Sequence, residues 1–179
     1  MSMKRSAAAA VLVMSILAAV GCTGLPASPA ATGSVSCAGG QLQTAASPGI
    51  TFRAGPTSLT TTEPSADVPC DDATGTGVTS ARIESLSIDF GALSCTGSTG
   101  MGSGEAVVRW SDGSTSDALV GVFLDTALTG SFVVILTGGR FTGFSASVDF
   151  FAAPSAGDCA SGITAETITI ASLVLRPGG

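Results

Sequence analysis

The chain has 179 residues, 13 acidic and 7 basic side chains, a formal net charge of −6, and neither His nor Tyr. Beyond Lys4 and Arg5 it carries no Lys, no Asn and only five scattered Arg, so it has no electrostatic footprint for nucleic acid or an anionic bilayer. Without His or a further Lys, the usual base of a Ser or Cys nucleophile is missing, and His-built zinc sites are excluded.

The chain begins with Lys4 and Arg5, then the uncharged run of 14 residues Ala7 to Val20, then Gly21-Cys22, which predicts an export signal helix over 1–21. As a helix that run reaches about 21 Å, short of the roughly 30 Å hydrocarbon core, so it is an h-region rather than a span. Its end, Ala19-Val20-Gly21-Cys22, resembles the lipobox of bacterial lipoproteins, in which the Cys is acylated and becomes the new N-terminus. That resemblance implies a lipid on Cys22 and the outer leaflet of the cell membrane as partner. Ala19-x-Gly21 also suits ordinary signal peptidase, which would give a secreted protein. Of five cysteines, setting Cys22 aside leaves Cys37, Cys70, Cys95 and Cys159, an even set for two disulfides in an oxidising compartment. Losing Lys4 and Arg5 with the signal takes the charge from −6 to −8.

Residues 22–33, with Pro26 and Pro29 among alanines, read as a tether between anchor and domain, and 34–179 as one domain. Strands are expected over Ser34 to Gln43, over Ile50 to Thr61 after a Ser47-Pro48-Gly49 turn, and over Val78 to Cys95. Glu63 to Gly77 reads as a long loop holding Cys70. In the third strand Leu86, Ile88 and Phe90 alternate with polar residues while Ile83 is out of phase, which calls for a bulge between Ile83 and Leu86. Gly97 to Gly104 is a flexible loop: a phosphate loop needs Lys and a following helix, and neither is present.

Glu105 to Trp110 places Ala106, Val108 and Trp110 on one face, and Ala118, Val120, Val122 and Leu124 alternate likewise. A two-residue Asp112-Gly113 turn would break this parity. A three-residue Ser111-Asp112-Gly113 loop with Gly113 left-handed sets Ala118 opposite Ala106 and Asp117 beside Val107. Phe132 to Leu136 is apolar on both faces, which predicts a strand covered on both sides. Parity joins it to the next strand by a five-residue loop, Gly139 to Gly143, with Phe132 opposite Phe150, Val134 opposite Val148 and Leu136 opposite Ala146. Ala152 to Gly162 reads as a loop holding Cys159, and Ile163 to Leu175 as the last strand.

These elements predict an all-β domain, an antiparallel β-sandwich of seven or eight strands, immunoglobulin-like in outline, with two disulfides. Trp110 reads as a core anchor. Three cysteine pairings are open, and the shared Ser-Cys-Ala/Thr-Gly setting of Cys37 and Cys95 leans toward 37 with 95 and 70 with 159. The order Cys37, Ser47-Pro48-Gly49-Ile50, Cys70, Ser94-Cys95, Trp110-Ser111-Asp112-Gly113-Ser114-Thr115-Ser116, Gly139-Arg140-Phe141-Thr142-Gly143 and Cys159 resembles a group of small secreted all-β proteins of actinobacteria. The likeness implies fold and location and carries over no catalytic, metal or cofactor residue.

The chemistry left to the chain is that of carboxylates. Asp67, Asp71 and Asp72 share one loop and Asp112 and Asp117 flank a turn, but no EF-hand spacing for calcium exists. Ser145, in Gly143-Phe144-Ser145-Ala146-Ser147, lacks the final Gly of a nucleophile elbow and reads as a solvent-side hydroxyl. The sequence therefore predicts a non-enzymatic, lipid-anchored envelope module that binds a protein or glycan, without cofactor or metal. The alternatives are a carboxylate-dependent envelope hydrolase, which needs two converging carboxylates about 5 to 9.5 Å apart, and a purely structural surface protein.

Overall fold

The computed structural model describes residues 33–96, 100–126 and 128–178, so the signal, Cys22 and the tether up to residue 32 lie outside the described residues. The fold consists of β1 (Val35–Ile50), β2 (Gly55–Thr61), β3 (Val68–Asp72), β4 (Ser80–Leu93), β5 (Met101–Trp110), β6 (Thr115–Leu124), β7 (Thr129–Gly139), β8 (Phe144–Asp158) and β9 (Gly162–Pro177). The sheet order β2-β1-β3-β4-β5-β6-β7-β8-β9 is closed by pairing of β1 with β9 and of β2 with β4. β2 and β3 lie end to end between β1 and β4. Each pairs one half of β1 and one half of β4, so together they fill one position of an eight-strand antiparallel barrel.

The barrel corrects the expected immunoglobulin-like sandwich. In-out alternation reads the same whether a sheet faces a second sheet or curls onto itself. What decides is β1, whose second edge pairs Val35–Ala45 with Leu175–Ala165 of β9, a match between the two ends of the domain that no local turn announces. Three segment boundaries change with it. Ser47-Pro48-Gly49 does not turn but lies inside β1, where the ladder to β9 is irregular between Ala45 and Ile50. β3 forms within the stretch read as a loop, and β8 continues to Asp158 through the start of the other.

Local parity holds at the first hairpin and at the bulge before it. The β4–β5 ladder shifts between Ile83 and Ser85, the expected bulge. Ala118 faces Ala106, Asp117 faces Val107, and Gly113 has φ +82°, as the three-residue loop requires. The β7–β8 register is two residues off the expectation: Phe132 pairs with Val148, Val134 with Ala146 and Ile135 with Ser145. A slip of two keeps every side chain on its own face, so alternation cannot detect it. The strand Phe132 to Leu136 is also not covered on both sides. Phe132 and Leu136 are buried in the barrel, whereas Ile135 points outward and is 46% exposed.

The disulfides are Cys37–Cys70 and Cys95–Cys159, which corrects the leaning toward 37 with 95. Cys37 and Cys70 are direct partners across β1 and β3, so the bridge clips the short β3 to the wall. Cys95 follows β4 and Cys159 follows β8. Residues 51 and 52 link them, the Cys95 amide donating to Thr51 and the Phe52 amide to Cys159.

Candidate functional site

Inward side chains fill the barrel unevenly. One row of cross-strand partners, Phe90, Gly102, Val122, Phe132 and Val148, carries two aromatic rings. A Cβ on Gly102 would come within 2.7 Å of the Phe90 ring, so glycine lets that ring lie across the barrel. The next two rows are short: Ile88, Gly104, Val120, Val134 and Ala146, then Leu86, Ala106, Ala118 and Leu136. Ala, Gly and Val at these positions cannot span an eight-strand barrel, whose interior is wide enough for one small ligand when side chains do not fill it. A cavity of about 110 Å³ results, with walls that are almost wholly apolar. Val108, Val134 and Ile170 point into it and are only partly buried, although their strands are fully paired there.

The cavity reaches the surface through the broken wall position. β1 is paired to β3 over 35–37 and to β2 over 44–47, which leaves its 38–42 edge without a ladder partner on that side. The connection from Thr62 to Asp67 bends toward β4 instead. The Ser65 amide donates to the Ile83 carbonyl and the Ile83 amide donates to Ser65 Oγ, both at 2.9 Å. Ala38, Gly40, Gln41, Ser65 and Arg82 line the cavity at this gap. Arg82 is held there by Glu84, which also takes Arg109. The Arg82 hydrogen bond, outweighing partial desolvation with help from Arg109, keeps the Glu84 carboxyl below its usual range.

Trp110 lines the turn end of the cavity, with Phe141 packed against it. Trp110 is 2% exposed, meets Phe141 edge-on at 4.9 Å, and donates its indole N–H to Ser116 Oγ at 2.9 Å. Phe141 has φ +57°, a left-handed turn position that aims its ring inward. Arg140 sits over that ring, pairs with Asp112 and donates to the Thr76 carbonyl, so one side chain ties three loops together. Its Nε is buried without a partner.

Past the Phe132 row lies a second cavity of about 20 Å³. Phe132 borders both spaces, and Phe150, stacked on it with centroids 4.3 Å apart, belongs to the smaller one. The smaller space contains Glu166, 3% exposed, whose Oε1 is buried without a hydrogen-bond partner. Burial pushes this carboxyl up from 4.5 to about 7. Alternation in β9 sets Glu166 inward with Ile168, an acid on an apolar face, which is the signal sequence reasoning passed over. The small inward residues Gly104, Ala106 and Ala118 are equally visible in the sequence, as residues too short to fill a barrel.

The carboxylates singled out from the sequence do not gather. Asp67 and Asp71 are exposed. Desolvation works against ionisation of Asp72, but the Thr74 and Thr76 hydroxyls and the Thr74 and Val78 amides outweigh it and hold the acid well below its ordinary 3.8. Asp112 caps Ser114 and pairs with Arg140, while Asp117 lies beside Gly138 on the outer face. Among the described residues no three His, Cys, Asp or Glu converge on a metal-sized point. The two interior cavities hold one carboxylate, Glu166, rather than a pair. Ser145 lies on the outer side of β8, between Ile135 and Arg176. Met101 to Gly104 belongs to β5 rather than to a loop, and residues 97–99 lie outside the described residues.

The two disulfides suit an oxidising, extracytoplasmic compartment. Comparison with protein-family models, with curated proteins and with solved structures gives no match.

Proposed function

We propose that this chain is a non-enzymatic envelope lipoprotein, anchored through Cys22, whose barrel takes up a small apolar ligand. The observation that carries the reading is the 110 Å³ apolar cavity, reached through the gap between β2 and β3 and bordered by the partly buried Val108, Val134 and Ile170. Apolar cavities of about 150 Å³ stay dry and accept benzene, so the ligand portion that fits is a single ring or a short alkyl chain. A lone interior carboxylate favours binding over the two-carboxylate hydrolase. The lipobox-like Ala19-Val20-Gly21-Cys22 supports the anchor, and the two disulfides support the extracytoplasmic side.

The test is thermal unfolding with and without toluene. At about 100 times its Kd a ligand adds roughly 2.7 kcal/mol, a rise of several degrees for a domain of this size. Val134→Phe, which fills the space, removes the rise. No rise in the parent protein contradicts the reading. For location, Cys22→Ala moves the protein out of the membrane fraction; if it stays there as the parent does, the anchor is elsewhere.

A further inference from the structure

The two interior cavities differ in size and chemistry, and the difference describes a ligand. The larger takes an apolar body. The smaller, at about 20 Å³, is the size of one water-like group, and its wall supplies a buried carboxyl oxygen with nothing bound to it. Nothing else in that wall is charged: Leu59, Ile88, Phe90, Leu93 and Val122 surround it. On the neighbouring strands Glu166 lies beside Thr44 and Pro154, and the Thr44 hydroxyl is turned to the Glu166 backbone carbonyl at 3.4 Å rather than to its carboxyl. An isolated carboxylate in such a place is costly unless a counter-charge comes with it, and among the described residues no cationic side chain lines that cavity.

We propose that the ligand brings the counter-charge: the barrel binds a small amphipathic primary amine, its apolar body in the larger cavity and its ammonium on Glu166. The inference rests on the cavity reading above. Phe132, stacked on Phe150, is the side chain common to both cavities, and the proposed pose requires it to turn aside to admit the head group. Glu166 must be ionised to hold the ammonium, so with its carboxyl near 7 the affinity rises with pH, about tenfold between pH 6 and pH 8.

The experiment titrates the exported protein with benzylamine, benzyl alcohol and toluene, reading the fluorescence of Trp110, the chain's single tryptophan, which lines the larger cavity. Benzylamine is expected to bind at least tenfold more tightly than toluene or benzyl alcohol at pH 8. Glu166→Gln removes that advantage, while retained toluene binding shows that the variant is folded. Phe132→Leu, which trims the side chain shared by the two cavities, raises benzylamine affinity several-fold. Toluene binding as tightly as benzylamine, or an alcohol binding equally well, overturns the amine assignment and leaves the cavity reading standing. An advantage that survives Glu166→Gln overturns it as well. If none of the three binds, the cavity reading fails and this inference fails with it.

Discussion

β4 to β9 and β1 to β3 build the same wall by different means. From β4 to β9 each strand pairs with the next in the chain, with register shifts in the β4–β5, β6–β7 and β8–β9 ladders. Across β1, β2 and β3 one wall position is divided between two short strands, clipped by Cys37–Cys70 and closed by a long-range match to β9. The first region gives the barrel its rigid frame and its aromatic end. The second leaves an unpaired edge, and the cavity opens there. Closure with a defect gives access to the interior without losing the fold.

The largest loss is expected at Trp110, at the end of β5. Trp110→Ala removes a buried ring together with its edge-on contact to Phe141 and its bond to Ser116. A loss of about 3 to 5 kcal/mol in denaturant unfolding is expected. An unchanged midpoint would mean that the aromatic group does not hold that end.

The divided wall is tested next. Cys37 and Cys70 lie 33 residues apart, so replacing both with Ala should cost about 3 to 4 kcal/mol by loop-closure entropy. The loss should appear chiefly as faster amide exchange in β3 and the neighbouring part of β1, with β5 to β7 retaining their protection. Uniform loss of protection across the barrel would show that the two regions are not separable.

The frame was the more legible part of the fold, although its β7–β8 register lies two residues from the expected one. Ala106 opposite Ala118, the left-handed Gly113 and the Ile83 bulge all follow from alternation plus turn chemistry, because each depends on residues close in sequence. The divided wall was not legible. β3, Val68–Asp72, is too short and polar to stand out from its loop, and the partner of β1 lies at the other end of the domain. Barrel and sandwich share one pattern of alternating faces, and closure is decided by which edges meet. The cysteine pairing failed for the same reason, since Cys70 was placed in a loop rather than opposite Cys37. Of the candidate site, the short inward residues and Glu166 were present in the pattern, and the β5–β6 register set Gly104 opposite Val120, but nothing in the sequence placed Val134 at the same level.

The pH dependence of stability sharpens the contrast inside the barrel. Glu166 holds a proton in the folded state that the unfolded chain releases above its ordinary 4.5, so stability falls as pH rises from about 4.5 to about 7 and is level beyond. Glu166→Gln should abolish this slope, a difference on the order of 2 to 3 kcal/mol at pH 8 and close to nothing at pH 4. Asp72 acts in the opposite sense in another window. Its lowered carboxyl contributes stability above its ordinary 3.8 that is lost as pH falls below it. Unfolding measured from pH 2 to pH 9 should therefore peak near pH 4 to 5, and a profile flat from 4.5 to 7 would contradict the burial of Glu166.

The smallest effect belongs to Arg140. Its partner Asp112 is well exposed, so Asp112→Ala should cost only about 0.5 to 1 kcal/mol, and less at high salt.

The most direct test of the cavity is the response of methyl NMR signals to dissolved xenon. The account predicts shifts at Val108, Val134 and Ile170, which face the interior, and little change at Ile135 and Leu119, which face outward. Shifts confined to the outward methyls, or none at all, would mean that the barrel interior is closed.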